Sequence, residues 1–139
     1  MKLGFIGTGK ITSSVVTGIC RSNLSFDKII LSSRSRTVAQ KLKKKFRKIS
    51  IARNNQDILN SCNWVFLAIT PTVGHRIIKD LKFKSSQTIV SFISTMTLPQ
   101  LKKVIKVKAK IFRDIPLPPI SLKKGPVPVF PPNKKVKSF

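Results

Sequence analysis

The sequence predicts a doubly wound, Rossmann-like α/β domain on a mostly parallel sheet. Three observations predict it. Short apolar runs rich in β-branched residues recur along the chain, stretches with helical apolar spacing lie between them, and a glycine-rich turn directly follows the first run. Runs that are apolar on both faces and joined by helices belong in a parallel sheet covered on both sides, with right-handed crossovers.

Taken in order, strands are expected at 3–6, 28–31, 49–52, 64–69, 88–93 and 110–113. Helical spacing links Ile11, Val15, Ile19 and Ser22, then Val38, Leu42 and Phe46, then Ile77, Ile78 and Leu81, and finally Leu101, Val104 and Ile105. Pro71 and Pro99 fall where helices start, a position that tolerates a missing N–H. Residues 1–114 therefore read as the domain. From 115 to 139 the texture changes, because seven of the nine prolines and no acidic residue fall there, and regular helix is not expected. That segment reads as a polyproline ligand, a disordered tail or an extended loop closing a site.

Composition limits the function classes. A chain of 139 residues with 41% hydrophobic content suits one folded domain. No apolar run reaches the roughly 20 residues of a membrane helix, and glycines interrupt the amino-terminal stretch where a signal peptide needs an apolar core, so a soluble, unprocessed, cytoplasmic protein is expected. Cys20 and Cys62 form no CxxC pair and read as reduced thiols. Charge is the unusual feature: 28 Lys and Arg face only Asp27, Asp57, Asp80 and Asp114, a net +24. Either the chain binds a polyanion or the charge is spread over a solvated surface. No tyrosine occurs, and the basic run from Lys43 to Lys48 contains only Phe46, so the aromatic interleaving of single-strand binders is missing. His75 is the sole histidine, the aspartates are scattered, and Trp64 heads an apolar strand; these read as packing or surface residues, and no metal site or carboxylate pair is expected.

The stretch "GFIGTGKI" carries the chemistry. A triphosphate loop would need Ser or Thr after Lys10, but Ile11 stands there, and the strand "NWVFLAIT" has no aspartate for magnesium. A dinucleotide turn needs a glycine for the bend, a second where the pyrophosphate approaches, and a helix start to hold its charge. Gly7, Gly9 and Thr12 supply that spacing between strand and helix, with Thr12 in place of a third small residue. Alone, the motif is weak, and the other reading is a structural βα turn. The second strand ends "LSSRSR", where an NAD site would carry Asp or Glu. Ser32, Ser33, Ser35 and Arg36 surround Arg34, whose guanidinium could grip a 2′-phosphate bidentately, which points to NADP(H); the other reading is a solvated basic turn.

Together these pieces resemble the amino-terminal domain of the pyrroline-5-carboxylate reductase family across almost the whole chain. "GFIGTGKI" is similar to its glycine loop, "SSRS" to its 2′-phosphate turn, and "NNQDILNSCNWVFLAITP" to the segment reaching its "AVKP" turn. "VSFIST" matches the strand and loop bordering the nicotinamide, and "IFRDIPLPPISLKKGPVPVFPPN" the stretch containing "RxMPNTP" and ending near "YPN". The resemblance implies an NADPH-dependent oxidoreductase of proline biosynthesis, transferring hydride to a C=N bond. It implies that Gly7, Thr8, Gly9, Lys10 and Ile11 wrap the pyrophosphate, Ser33, Arg34 and Ser35 the adenosine phosphate, and Asn55 the adenine side. Ala68, Ile69, Thr70 and Pro71 then form the turn beside the nicotinamide ribose, and Ser94 and Thr95 border the ring. It turns the proline-rich segment into a loop crossing the cofactor mouth with a short strand near 127–130. Lys10 replaces an Asn, Thr70 the Lys of "AVKP", and Leu117 with Pro118 the Asn-Thr pair, departures that imply weakened nicotinamide positioning and substrate binding. The family's helical carboxy-terminal domain, which makes the dimer and completes the imino-acid pocket, has no counterpart here. The expectation is a cofactor-binding half that does not dimerise or turn over on its own. A hydroxyacid or deazaflavin-linked reductase of the same group would share the glycine loop.

Overall fold

A computed structural model describes residues 1–122 and 127–137. Six parallel strands follow the chain: β1 (Lys2–Ile6), β2 (Lys28–Leu31), β3 (Ile49–Ile51), β4 (Trp64–Leu67), β5 (Thr88–Ser91) and β6 (Lys110–Asp114). A seventh, β7 (Val129–Phe130), pairs antiparallel with β6, and the sheet order is β3-β2-β1-β4-β5-β6-β7. The order reverses between β1 and β4, so the loops after these two strands part and leave a crevice at the carboxyl edge, where α/β sheets of this kind take ligands.

Helices cover both faces because both faces of the central strands are apolar: all four residues of β4 are buried, as are the last four of β1. On one side α1 (Lys10–Arg21) and α2 (Arg36–Lys45) pack over Leu3, Phe5, Leu31 and Phe66. Phe5 and Phe66, neighbours on β1 and β4, stack with ring centroids 4.5 Å apart, and Trp64 is buried in the same core. On the other side α3 (Asn55–Ser61), α4 (Pro71–Lys79) and α5 (Leu98–Ile105) pack over Ile6, Val65, Leu67 and Ile89. Buried Gln87 ties this layer together, its amide donating to the carbonyls of Leu59 and Cys62 and accepting from the Lys84 N–H.

The expected strands all form, but β4 stops at Leu67 and β5 at Ser91, two residues early. The chain must leave the sheet there to reach the helices that begin at Pro71 and Leu98. Ser22, Phe46 and Leu81 lie just beyond their helices, where they cap or follow the last turn. Helix α3 has no counterpart among the helical spacings. It is seven residues long, and its two buried residues, Ile58 and Leu59, are adjacent in sequence. Its start is nonetheless written locally, since the Asn54 side chain accepts from the Asp57 N–H at 2.9 Å. Gly4 explains its seat: a Cβ there would overlap Ile58 Cγ2 and Cys62 Sγ, so only glycine lets α3 lie against β1.

The proline-rich segment is ordered in three pieces. A 3₁₀ turn at Pro118–Leu122 lies on α1, where a Cβ on Gly18 would come 2.6 Å from the Ile120 carbonyl oxygen. β7 follows, and then one turn of helix, α6 (Lys134–Lys137), with Asn133 Oδ1 accepting from the Val136 N–H and Val136 buried in the α1–α2 core. Helix therefore does occur in this segment, once the last proline is passed and an asparagine stands at the start. The parts of the expected closing loop at 123–126 and 138–139 lie outside the described residues.

Candidate functional site

The carboxyl edge gathers the turns after every parallel strand. At its centre Gly7 has φ +97°, a backbone conformation that side chains strain, and a Cβ on it would strike the Ala68 carbonyl, with the Ile69 side chain 2.9 Å away. Glycine is required here because the exits of β1 and β4 touch. At Gly9, by contrast, φ is an ordinary −93° and a Cβ would meet nothing within 4 Å. Gly9 caps α1 without any side-chain acceptor, and the first helical bond runs from the Ser13 N–H to its carbonyl. The amides of the first turn therefore face an open space, with the helix dipole behind them. The first turn of α1 carries no acid and begins with exposed Lys10, so no carboxylate of its own neutralises this positive end.

Thr8 and Thr12 hold the turn from beneath. Thr8, 2% exposed, donates to the Ser32 carbonyl at 2.8 Å and shares a 2.9 Å hydrogen bond with the Ser32 hydroxyl, while Gly7 N–H donates to that same hydroxyl at 3.0 Å. Thr12 Oγ1 donates to the Gly7 carbonyl at 2.7 Å. The threonine in place of a third small residue is thus a brace, and the Thr8 and Ser32 side chains face inward while only the Thr8 main chain is left for a ligand. Ser32 links the glycine turn to the end of β2 and lies outside the expected set. Its signal was position alone, one residue past a strand paired with β1.

Ser33 and Arg34 are exposed after β2, and Ser35 caps α2 with no side-chain hydrogen bond. No acid stands in the first turn of α2, which begins with Arg36. Cations at a helix start oppose the dipole, so this corner favours an anion. Ser33 Oγ lies 3.5 Å from the Arg53 carbonyl, which brings a further guanidinium-bearing residue beside Arg34, one that local sequence spacing did not single out. Asn55 is the first residue of α3, behind the cap at Asn54. Ala68, buried Ile69, and exposed Thr70 and Pro71 make the turn from β4 into α4, facing the glycine turn across the Gly7–Ala68 contact. Exposed Ser94 and Thr95 follow β5, and the Arg113 guanidinium donates to the Ser94 carbonyl at 2.7 Å. A cavity of about 510 Å³ between α4 and α5 takes Pro71 and Thr95 from the expected set and none of the glycine-turn residues.

At the same edge Asp114 ends β6, 9% exposed, with Oδ1 lacking a partner. Burial pushes its carboxyl from 3.8 up to about 6, and a hydrogen bond from the Ile115 amide pulls the other way. Between these values the folded chain binds more protons than the unfolded one. The neutral carboxyl's contribution is complete below 3.8 and is lost as pH rises through 6. Asp114→Asn should therefore gain roughly 1–3 kcal/mol over the parent chain between pH 5 and pH 7.5, measured as the change in the gap between their denaturation curves. Curves that run parallel over that range would mean the carboxyl is not desolvated. Burial likewise pushes the free thiols of Cys20 and Cys62 up to about 11, so neither is a nucleophile at neutral pH. Among the described residues no group of three His, Cys, Asp or Glu could hold a metal ion, and no helix is long and apolar enough to cross a membrane.

The chain is 26% identical over 128 residues to pyrroline-5-carboxylate reductase 3 of Danio rerio, a match covering 90% of this chain and 44% of that protein. Among solved structures, a pyrroline carboxylate reductase of Plasmodium falciparum with NADP bound superimposes with a TM-score of 0.80 at 20% identity. The 1-pyrroline-5-carboxylate reductase of Streptococcus pyogenes does so with 0.77 at 23%. Each covers 99% of this chain and 52% of its own, so the chain spans about half the length of the proteins it matches. The likeness to amino-terminal halves of pyrroline-5-carboxylate reductases thus holds in sequence and in fold. Residues 2–97 match the family model described as NADP oxidoreductase coenzyme F420-dependent, and the chain belongs to that family.

Proposed function

We propose that the chain binds NADP(H) across the carboxyl edge of its sheet and is the cofactor-holding half of a pyrroline-5-carboxylate reductase-like enzyme. The observation that carries this is the open main-chain cradle at Gly9, at the start of a 12-residue helix with no acid in its first turn. The main chain of Gly7, Thr8, Gly9, Lys10 and Ile11 would hold the pyrophosphate there. Ser33, Arg34 and Ser35 would take the 2′-phosphate, since the turn offers guanidinium and hydroxyl donors and no carboxylate to repel it. Asn55 would border the adenine, residues Ala68, Ile69, Thr70 and Pro71 the nicotinamide ribose, and Ser94 and Thr95 the ring.

When bound, NADPH supplies a hydride, and the acceptor in this reading is the C=N bond of a cyclic imino acid in proline biosynthesis. Hydride transfer needs the reacting carbons close and aligned, and these 139 residues enclose the cofactor side alone. In this reading a helical domain of the kind the resemblance implies completes the pocket. A second reading, favoured by the family match over residues 2–97, keeps NADP(H) and changes the acceptor to a deazaflavin. Both readings place the chain in the cytoplasm, where free thiols such as Cys20 and Cys62 stay reduced.

Calorimetric titration tests the cofactor step and should give saturable NADPH binding, tighter than NADH, at physiological salt. Absence of saturable binding ends the proposal. Turnover is then followed as NADPH oxidation with pyrroline-5-carboxylate, alone and with a separate carboxy-terminal helical domain. Activity is expected in the mixture only.

A further inference from the structure

A parallel sheet sorts its charges by end. Every strand from β1 to β6 starts at the edge opposite the cofactor crevice, and every connecting helix finishes there. In this chain four of the six starts are basic, while β4 and β5, between β1 and β6 in the sheet, start at Trp64 and Thr88. Lys2 and Lys28 are paired neighbours on β1 and β2, Lys48 immediately precedes β3, and Lys110 opens β6. All four are exposed. The helices add to them: the last turns of α1, α2, α4 and α5 all carry cations, Arg21 and Lys45 among them. Cations suit the carboxyl ends of helices, so the fold tolerates this concentration locally.

The countercharges are few. Asp27 lies at this edge but is held by the Met1 amino group at 2.6 Å, and Asp80 caps α4. With strands about 4.8 Å apart, the row from Lys48 across to Lys110 covers roughly 24 Å, the rise of about seven base pairs. Lys48 is held in place, donating to the Phe26 carbonyl at 2.9 Å with its ammonium over the Phe26 ring.

From this geometry we infer a second binding function: the amino edge of the sheet binds a nucleic-acid duplex through its phosphodiester backbone, independently of the crevice. A duplex fits better than a single strand, because among the described residues the aromatic rings at this edge offer no open stacking face: Trp64 and Phe26 are buried, and Phe46 is half-buried with the Lys45 ammonium over its ring. It also fits better than a membrane. Of the exposed large apolar side chains among the described residues, Ile115, Leu117 and Phe130 lie at the opposite end, and Leu122, on the 3₁₀ turn packed against Gly18 near the end of α1, is a single side chain and makes no apolar face to insert.

Fluorescence anisotropy with a labelled 20-base-pair duplex, titrated from 50 to 200 mM salt, tests the assignment. Lys28→Glu with Lys110→Glu should weaken binding at least tenfold and reduce the salt slope by about 1.8, or 0.9 per lost phosphate contact. Arg36→Glu with Arg53→Glu removes the same charge from the crevice end and should change affinity less than threefold. Lys28→Gln with Lys110→Gln, a milder pair, should fall between the parent and the reversal, with circular dichroism confirming the fold. Equal losses from the two ends would mean a diffuse cloud of charge and overturn the proposal. So would tighter binding of the 20-nucleotide single strand, or binding to phosphatidylserine vesicles in the absence of duplex binding at 50 mM salt.

Discussion

Replacing Gly9 by valine should abolish NADPH binding while leaving the domain folded. Gly9 has an ordinary φ of −93°, and a Cβ there meets no atom within 4 Å, so the substitution costs the fold only the difference between two helix caps, about 1 kcal/mol or less. The space the side chain would enter is the one a pyrophosphate needs in order to reach the first amides of α1. A branched side chain there keeps those donors out of hydrogen-bonding range, and a loss of at least about 100-fold in affinity is expected from two or more charge-assisted bonds. Gly7→Ala provides the contrast. Its φ of +97° and the overlap of a Cβ with the Ala68 carbonyl put the strain in the folded chain itself, at about 2–3 kcal/mol. Thermal denaturation and NADPH calorimetry on both variants separate the roles. Should Gly9→Val bind NADPH as well as the parent, the cradle is not where the pyrophosphate sits.

Arg34→Glu should invert the choice of cofactor. The end of β2 has no acid, and among the described residues the only ion pair is that of Met1 with Asp27, so the Arg34 guanidinium is not engaged by a carboxylate. A bidentate contact to a 2′-phosphate is worth roughly 1.5–3 kcal/mol, so its loss weakens NADPH by about 10- to 150-fold. Glutamate adds repulsion against the phosphate and an acceptor for ribose hydroxyls, so NADH should bind at least as well as to the parent. Parallel titrations with the two nucleotides read the ratio directly. A ratio unmoved by the substitution would shift the assignment to Arg53, which Ser33 brings to the same corner.

How much of this was legible beforehand follows from the range of each interaction. Strand positions and four of the five crossover helices were written in local apolar spacing. Helix α3 escaped because its buried pair is adjacent and its seat depends on Gly4, some fifty residues away. The glycine turn could be placed from spacing, but the inward hydrogen bonds of Thr8 and Ser32 could not, since they join the ends of strands that become neighbours only in the sheet. Asp114 looked like one more scattered acid until strand order put it at the same edge of the sheet as the crevice, and the lysine row looked like a count of charges until parallel pairing aligned the strand starts.

The sequence by itself determined the α/β class, the glycine positions where the backbone must bend or lie bare, and the absence of an acid after the second strand. These are properties of single residues and their close neighbours. The tertiary structure alone decided which groups converge at each end of the sheet, because strand order and register are set by burial across the whole chain rather than by any short stretch of it.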